Sequence, residues 1–234
     1  MNLLMLSSSR AGTEDYLASA RPMIEQHLDE VRDVVFIPYA GVTLNWDDYT
    51  DKVQQALPTL NITGIHTYAD PVDALQDAKA VLVGGGNTFH LLHTLYENSL
   101  IEPLRQRVAD GLPYVGWSAG SNICGLSIRT TNDMPIIEPA SFTALALVPF
   151  QINPHYSDYQ PPGHNGETRA ERIAEFCALN PTTPVIGIRE GTGLLRKGNT
   201  LQLTGPLPGV VFKGTEVSEL SAGSNLDHYL TETA

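Results

Sequence analysis

Five short apolar runs in the first half of this 234-residue chain, each separated from the next by a stretch with helical spacing, constrain its fold more than any single motif. Leu3 to Leu6, Val34 to Ile37, Ile62 to Thr67, Ala80 to Val83 and Pro113 to Trp117 read as strands. Between them, Glu14 to Leu28 (with Thr13 as a candidate N-cap), Asp47 to Leu57, Pro71 to Ala78, Phe89 to Tyr96 and Leu100 to Ala109 read as helices. A strand buried on both faces is apolar throughout, and parallel neighbours need helical crossovers. The alternation therefore predicts an α/β fold, a mostly parallel sheet with helices on both faces.

Beyond Asn132 the rhythm changes. Ala146 to Pro149 and Val185 to Ile188 read as strands, and an apolar strand from Leu145 to Ile152 leads toward His155. Glu167 to Leu179 reads as a helix. Leu194 to Lys197, Thr200 to Leu203 and Val210 to Phe212 are short and turn-punctuated, which suggests antiparallel additions at a sheet edge. Ser157 to Gly166, with Pro161, Pro162 and two glycines, reads as a lid or rim loop. No repeat or linker divides the chain, so residues 1–234 are expected to form a single domain.

Composition removes several classes of function. Lys and Arg number 14 against 26 acids, a net charge of −12, which argues against a nucleic-acid partner. An anionic substrate would meet an unfavourable overall field, so a local cation must receive it. Cys124 and Cys177 are too few for a disulfide framework or a four-ligand zinc site. Met1 to Leu6 is too short an apolar run for a leader, and no stretch approaches the ~18 apolar residues of a membrane span. The expected location is cytoplasmic.

The chemistry concentrates at Gly116-Trp117-Ser118-Ala119-Gly120, a G-x-S-x-G sequence. The pattern alone arises by chance in roughly one sequence in ten of this length. Its context adds weight, because an apolar run leads in and a small-residue helix start leads out. A serine on a sharp strand-to-helix bend needs glycines two positions to either side, where side chains would collide. The bend lifts the hydroxyl above the sheet at a helix N-terminus, where developing negative charge is favoured. The plainer alternative is a tight turn with a buried capping serine. Gly84-Gly85-Gly86-Asn87-Thr88 also joins a strand to a helix. Phe89 stands where a dinucleotide fingerprint needs its third glycine, and no P-loop occurs. These glycines are either a flexible turn or, with the Ala119 amide, N–H donors to an oxyanion.

A serine nucleophile needs a base oriented by a carboxylate. His27, His66 and His228 fall in element interiors or near the tail, while His90 and His93 share a helix face with no third metal ligand. His155, stiffened by Pro154, and His164 in the polar loop remain. Asp133 or Glu190 could orient His155, and Arg189 could instead pair with Glu190. The order Ser, His, Glu matches neither α/β-hydrolases nor the chymotrypsin and subtilisin arrangements.

These segments together resemble the peptidase E family of aspartyl dipeptidases. The resemblance runs through Ser7-Ser8-Ser9, Pro38-Tyr39-Ala40, Gly84 to Thr88, Gly116 to Asn122 and Thr131-Asn132-Asp133-Met134-Pro135. It continues through Asn153-Pro154-His155-Tyr156, Gly166-Glu167-Thr168-Arg169 and Arg189-Glu190-Gly191. Ser121 departs from it, since many relatives carry alanine there. The resemblance implies a flavodoxin-like fold akin to class I glutamine amidotransferases and a serine exopeptidase acting on dipeptides with N-terminal aspartate. It assigns Ser118 as nucleophile, His155 as base and Glu190 as acid, with Asp133 also a candidate for the relay. The amides of Gly86 or Asn87 and Ala119 would hold the oxyanion, and Arg169 would take the aspartyl carboxylate, with Arg172 free to pair with Glu175. No metal or other cofactor is implied, the partner is a small Asp-first peptide, and the chain would act as a monomer or homodimer. A cyanophycinase-like peptidase acting on aspartate-rich polymer and a non-hydrolytic binding protein of the same fold are the alternatives.

Overall fold

The apolar runs become strands whose successive side chains enter different cores. The computed structural model describes residues 1–163 and 165–231, so His164 lies outside the described residues. The strands are β1 (Asn2–Leu6), β2 (Asp33–Ile37), β3 (Asn61–Gly64), β4 (Val81–Val83), β5 (Tyr114–Trp117), β6 (Gln151–Asn153), β7 (Val185–Gly187), β8 (Gly193–Lys197), β9 (Thr200–Thr204), β10 (Gly209–Lys213) and β11 (Glu216–Leu220). The helices are α1 (Ala20–Leu28), α2 (Trp46–Ala56), α3 (Pro71–Asp77), α4 (Thr88–Glu97), α5 (Ile101–Ala109), the single turn α6 (Ala119–Asn122) and α7 (Arg169–Leu179).

Leu3 and Met5 of β1, with Val35, Ile37, Val81 and Val83, pack under α3, α4 and α5. Leu4 and Leu6, with Val34, Phe36, Leu82 and Val115, pack under α1 and α2. Each side chain so buried contributes about 1.5–3 kcal/mol, and that two-sided gain selects a covered, largely parallel sheet. Its seven strands run in the order β3-β2-β4-β5-β1-β8-β9. The first five are parallel, and β8 and β9 are antiparallel additions beside β1. A second sheet, β11-β10-β7-β6, carries α7 on one face through Ile173 and Cys177 packed on Val185 and Phe212. Its other face, with Ile152 and Ile186, joins the core beneath α4 and α5.

The register gathers the loops that matter. Leu6 pairs with Trp117 and Val83 with Gly116, so the carboxyl ends of β1, β4 and β5 coincide. Gly193 opposite Leu6 brings the turn before β8 to the same edge. Asn153 opposite Gly187 then sends the chain after β6 and after β7 in company. Crevices outside strand carboxyl ends are where open α/β sheets bind their ligands.

Several elements differ from the expectation. The first helix begins at Ala20 rather than Glu14, because buried Leu17 adopts φ 59° and gives its N–H to Ser9 O. Thr13 is therefore not its cap. The run from 62 to 67 is a strand only to Gly64, after which a 3₁₀ turn, Ile65–Thr67, is closed by the Thr67 hydroxyl on Gly64 O at 2.8 Å. The apolar run before His155 is mostly not a strand. Ala146 has φ 49° and donates to Gly125 O, and Leu147 and Val148 donate to Cys124 O, so this segment is a buried loop beneath the α6 turn. The strand forms later, at β6. Val210 to Phe212 joins the second sheet, not the edge of the first, and is paired on both sides by β7 and β11.

Candidate active site

Ser118 caps β5 at φ 53°, ψ −113°, a backbone conformation that L-residues rarely hold. The bend is made possible by absent side chains. A Cβ on Gly116 would sit 2.4 Å from Gly120 O, and one on Gly120 would sit 2.2 Å from Val83 O. The bend is tied down by Ser118 N–H to Leu6 O and by the Asn122 and Ser121 amides on Ser118 O. The buried Ser121 hydroxyl lies within hydrogen-bond reach of Leu6 O and Gly116 O, at 2.6 and 2.9 Å, so this departure from the family pattern adds a tether. With only four residues, α6 has a weak macrodipole, and the individual amides are what matter.

His155 Nε2 lies 2.9 Å from Ser118 Oγ, and its Nδ1 lies 2.8 Å from Glu190 Oε1. The imidazole is aimed by its own backbone, which holds φ 55°. The His155 N–H donates to Ser7 Oγ, and the Ser7 hydroxyl donates to Ile188 O, a brace from β1. Asn132 donates to Pro154 O and accepts from Asn153 Nδ2, fixing the same turn from the other side. The side chains of His155 and Glu190 remain 40% and 47% exposed, so their contact contributes orientation more than stability. Arg189 does not compete for Glu190. Its guanidinium reaches Asp158 and Pro208 O and lies 5.4 Å from the Tyr156 ring centre.

Asp133 has a different place. Its Oδ2 accepts from the Thr88 N–H and hydroxyl and lies 3.3 Å from the Thr131 hydroxyl, at the start of α4. It lines the same space as Ser118 and His155 without a hydrogen bond to the imidazole among the described residues. The Asn87 amide, expected as an oxyanion donor, is committed to Ala40 O at 2.9 Å, while its side chain caps α4 through the His90 N–H. The N–H groups of Gly86 and Ala119 have no acceptor among the described residues. Gly85 packs so tightly that an added Cβ would lie 2.9 Å from Ser118 Cβ.

Arg169 opens α7, whose N-cap Thr168 and Glu171 form a reciprocal capping box. Its buried Nη1 has no hydrogen-bond partner in the structure. Arg169 shares a cavity of about 200 Å³ with Ser118, Ala119, His155 and Asp133. Burial, reinforced by Arg172, lowers its pKa from the ordinary value, with Asp133 opposing. A guanidinium stays charged regardless, so this unpartnered N–H group is free to donate to an anion. Arg172 faces outward and pairs with Glu167 at 3.6 Å, not with Glu175. His90 and His93 sit elsewhere, on Tyr39 O and on Glu138 O and Glu97. Among the described residues, no group of three His, Cys, Asp or Glu could hold a metal, and no helix is long and apolar enough to cross a membrane. Sequence reading missed the functions of Ser7 and Asn132; both stand inside quoted motifs, but only the register shows what they hold.

A flavodoxin-like α/β sheet with a hydroxyl, an imidazole and a carboxylate in line at its carboxyl edge defines the class of protein. The chain belongs to peptidase family S51, whose profile matches residues 3–204. It is 56% identical over 230 residues to peptidase E of Shewanella amazonensis, covering 97% of this chain and 98% of that one. Peptidase E of Shewanella oneidensis is 54% identical over 233 residues, covering 98% and 99%. Among solved structures, a peptidase from an acI-B1 actinobacterium superposes with a TM-score of 0.71 at 17% identity, covering 96% of each chain. A candidate peptidase E from Listeria monocytogenes EGD-e gives 0.68 at 23% identity, covering 88% of this chain and 98% of that one. Those two likenesses speak to the fold. The chain is a peptidase of this family.

Proposed function

We propose that this peptidase is a serine-type exopeptidase that removes an N-terminal aspartate from dipeptides. The observation that carries the reading is the unpartnered Arg169 Nη1 in a pocket shared with a Ser118–His155 pair at 2.9 Å. Ser118 Oγ attacks the scissile carbonyl while His155 Nε2 takes its proton, and Glu190 stabilises the resulting imidazolium. The Gly86 and Ala119 amides receive the oxyanion. His155 then protonates the departing amine, and water, deprotonated by the same imidazole, releases aspartate from Ser118. Asp133, the carboxylate lining both spaces beside Ser118, is suited to the substrate ammonium.

A cavity of about 200 Å³ suits one short acidic side chain. The test is a panel of X-Leu dipeptides differing in the first residue, run with wild type and Arg169→Ala. Wild type should favour Asp-Leu over Asn-Leu and Ala-Leu. The variant should lose Asp-Leu turnover by on the order of 100-fold, since removing one partner of a buried charge pair costs ~2–5 kcal/mol. Equal turnover of all first residues by wild type would discard the aspartyl specificity.

A further inference from the structure

A dipeptide differs from longer peptides in carrying a free carboxylate one residue past the scissile bond. In a chain of net charge −12, a local cation offsets the unfavourable overall field that such a group meets. Two spaces meet at Ser118. The smaller contains Arg169, and the larger, about 670 Å³, extends past Gly85 and Gly86 toward α2. Lys52 is the one Lys or Arg among the residues lining that larger cleft. Its ammonium is held at the wall, 4.4 Å from the centre of the Tyr16 ring, and forms no ion pair among the described residues.

The wall itself is continuous with the bend. The Tyr16 hydroxyl lies 3.3 Å from that of Tyr49, Tyr49 donates to Gly85 O at 2.9 Å, and Gly85 packs on Ser118. Val42, Leu44 and Ile136 supply apolar surface in the same cleft. Arg169 and Lys52 thus line different spaces that meet at one hydroxyl, an arrangement that separates the acid of the cleaved residue from the acid of the departing one.

We infer that Lys52 receives the α-carboxylate of the departing amino acid, making the larger cleft a subsite for a residue with a free C-terminus. The inference rests on the dipeptidase reading above. A solvated ammonium binds a carboxylate as a point charge, so the effect is moderate and falls on substrate binding.

The experiment compares kcat/KM for Asp-Leu and Asp-leucinamide, using wild type, Lys52→Met and Lys52→Arg. Wild type should prefer the free acid by up to about fivefold, the scale of one solvated ion pair. Lys52→Met should bring the ratio close to one, mainly through KM, and Lys52→Arg should keep the preference. Equal use of acid and amide by wild type, or an undiminished preference in Lys52→Met, would overturn the subsite while leaving the aspartyl reading intact. Wild type that cleaves neither peptide would remove both.

Discussion

Two carboxylates flank the same imidazole in sequence terms, and only the conformation of each separates their duties. Glu190 Oε1 accepts from His155 Nδ1, whereas Asp133 is turned onto Thr88 and Thr131. Neutralising them should therefore have different kinetic signatures. Glu190→Gln, which keeps the shape and loses the charge facing the imidazolium, should lower kcat by roughly 100-fold or more. Asp133→Asn retains an acceptor for the α4 cap and should act mainly on KM, as expected for a group that binds the ammonium. Steady-state kinetics on Asp-Leu distinguishes the two; the reverse split would exchange their assignments. The sequence offered both acids as partners for His155 and named Glu190 by resemblance, but it left the choice open, because nothing in the spacing says where a turn points its side chains.

At the scale of elements, legibility followed burial. The strands of the central sheet are apolar on both faces, so β1, β2, β4 and β5 stood out as continuous runs, and helices α2 to α5 as periodic ones between them. The bend at Ser118 was legible for a steric reason, since Gly116 and Gly120 leave room for backbone oxygens at 2.4 and 2.2 Å. Apolar content misled where backbone rather than side-chain pattern decides. Leu145 to Val148 is as apolar as a strand, yet its amides cap the end of the α6 turn. Leu17 looked helical but turns left-handed to reach Ser9 O. The strand β11, with Glu216 to Glu219 exposed, lacks a buried run altogether and forms because β10 offers it a ladder.

At the scale of the whole molecule, the site is an assembly of distant segments. Ser7 follows β1, Ser118 follows β5, His155 follows β6 and Glu190 follows β7, so the line of contacts from Ser118 through His155 to Glu190 exists only while both sheets are in register. Its integrity is tied to global stability, and His27 on α1 makes that stability sensitive to pH. Burial, then Lys197, pushes the His27 imidazole down from 6.5 to about 4. Between those values the unfolded chain binds a proton that the folded chain refuses. Stability is therefore complete above about pH 6.5 and declines toward pH 4, by up to about 3 kcal/mol. Urea denaturation at pH 7 and pH 4.5 should show this decline in wild type and a smaller one in His27→Leu; identical slopes would remove His27 as the cause. The account as a whole depends on the Ser118 hydroxyl being the attacking group, and hydrolysis of Asp-Leu by Ser118→Ala tests it most directly. With the variant's thermal melt matching wild type, turnover should fall by on the order of 10⁵–10⁶, whereas retained hydrolysis would contradict the account.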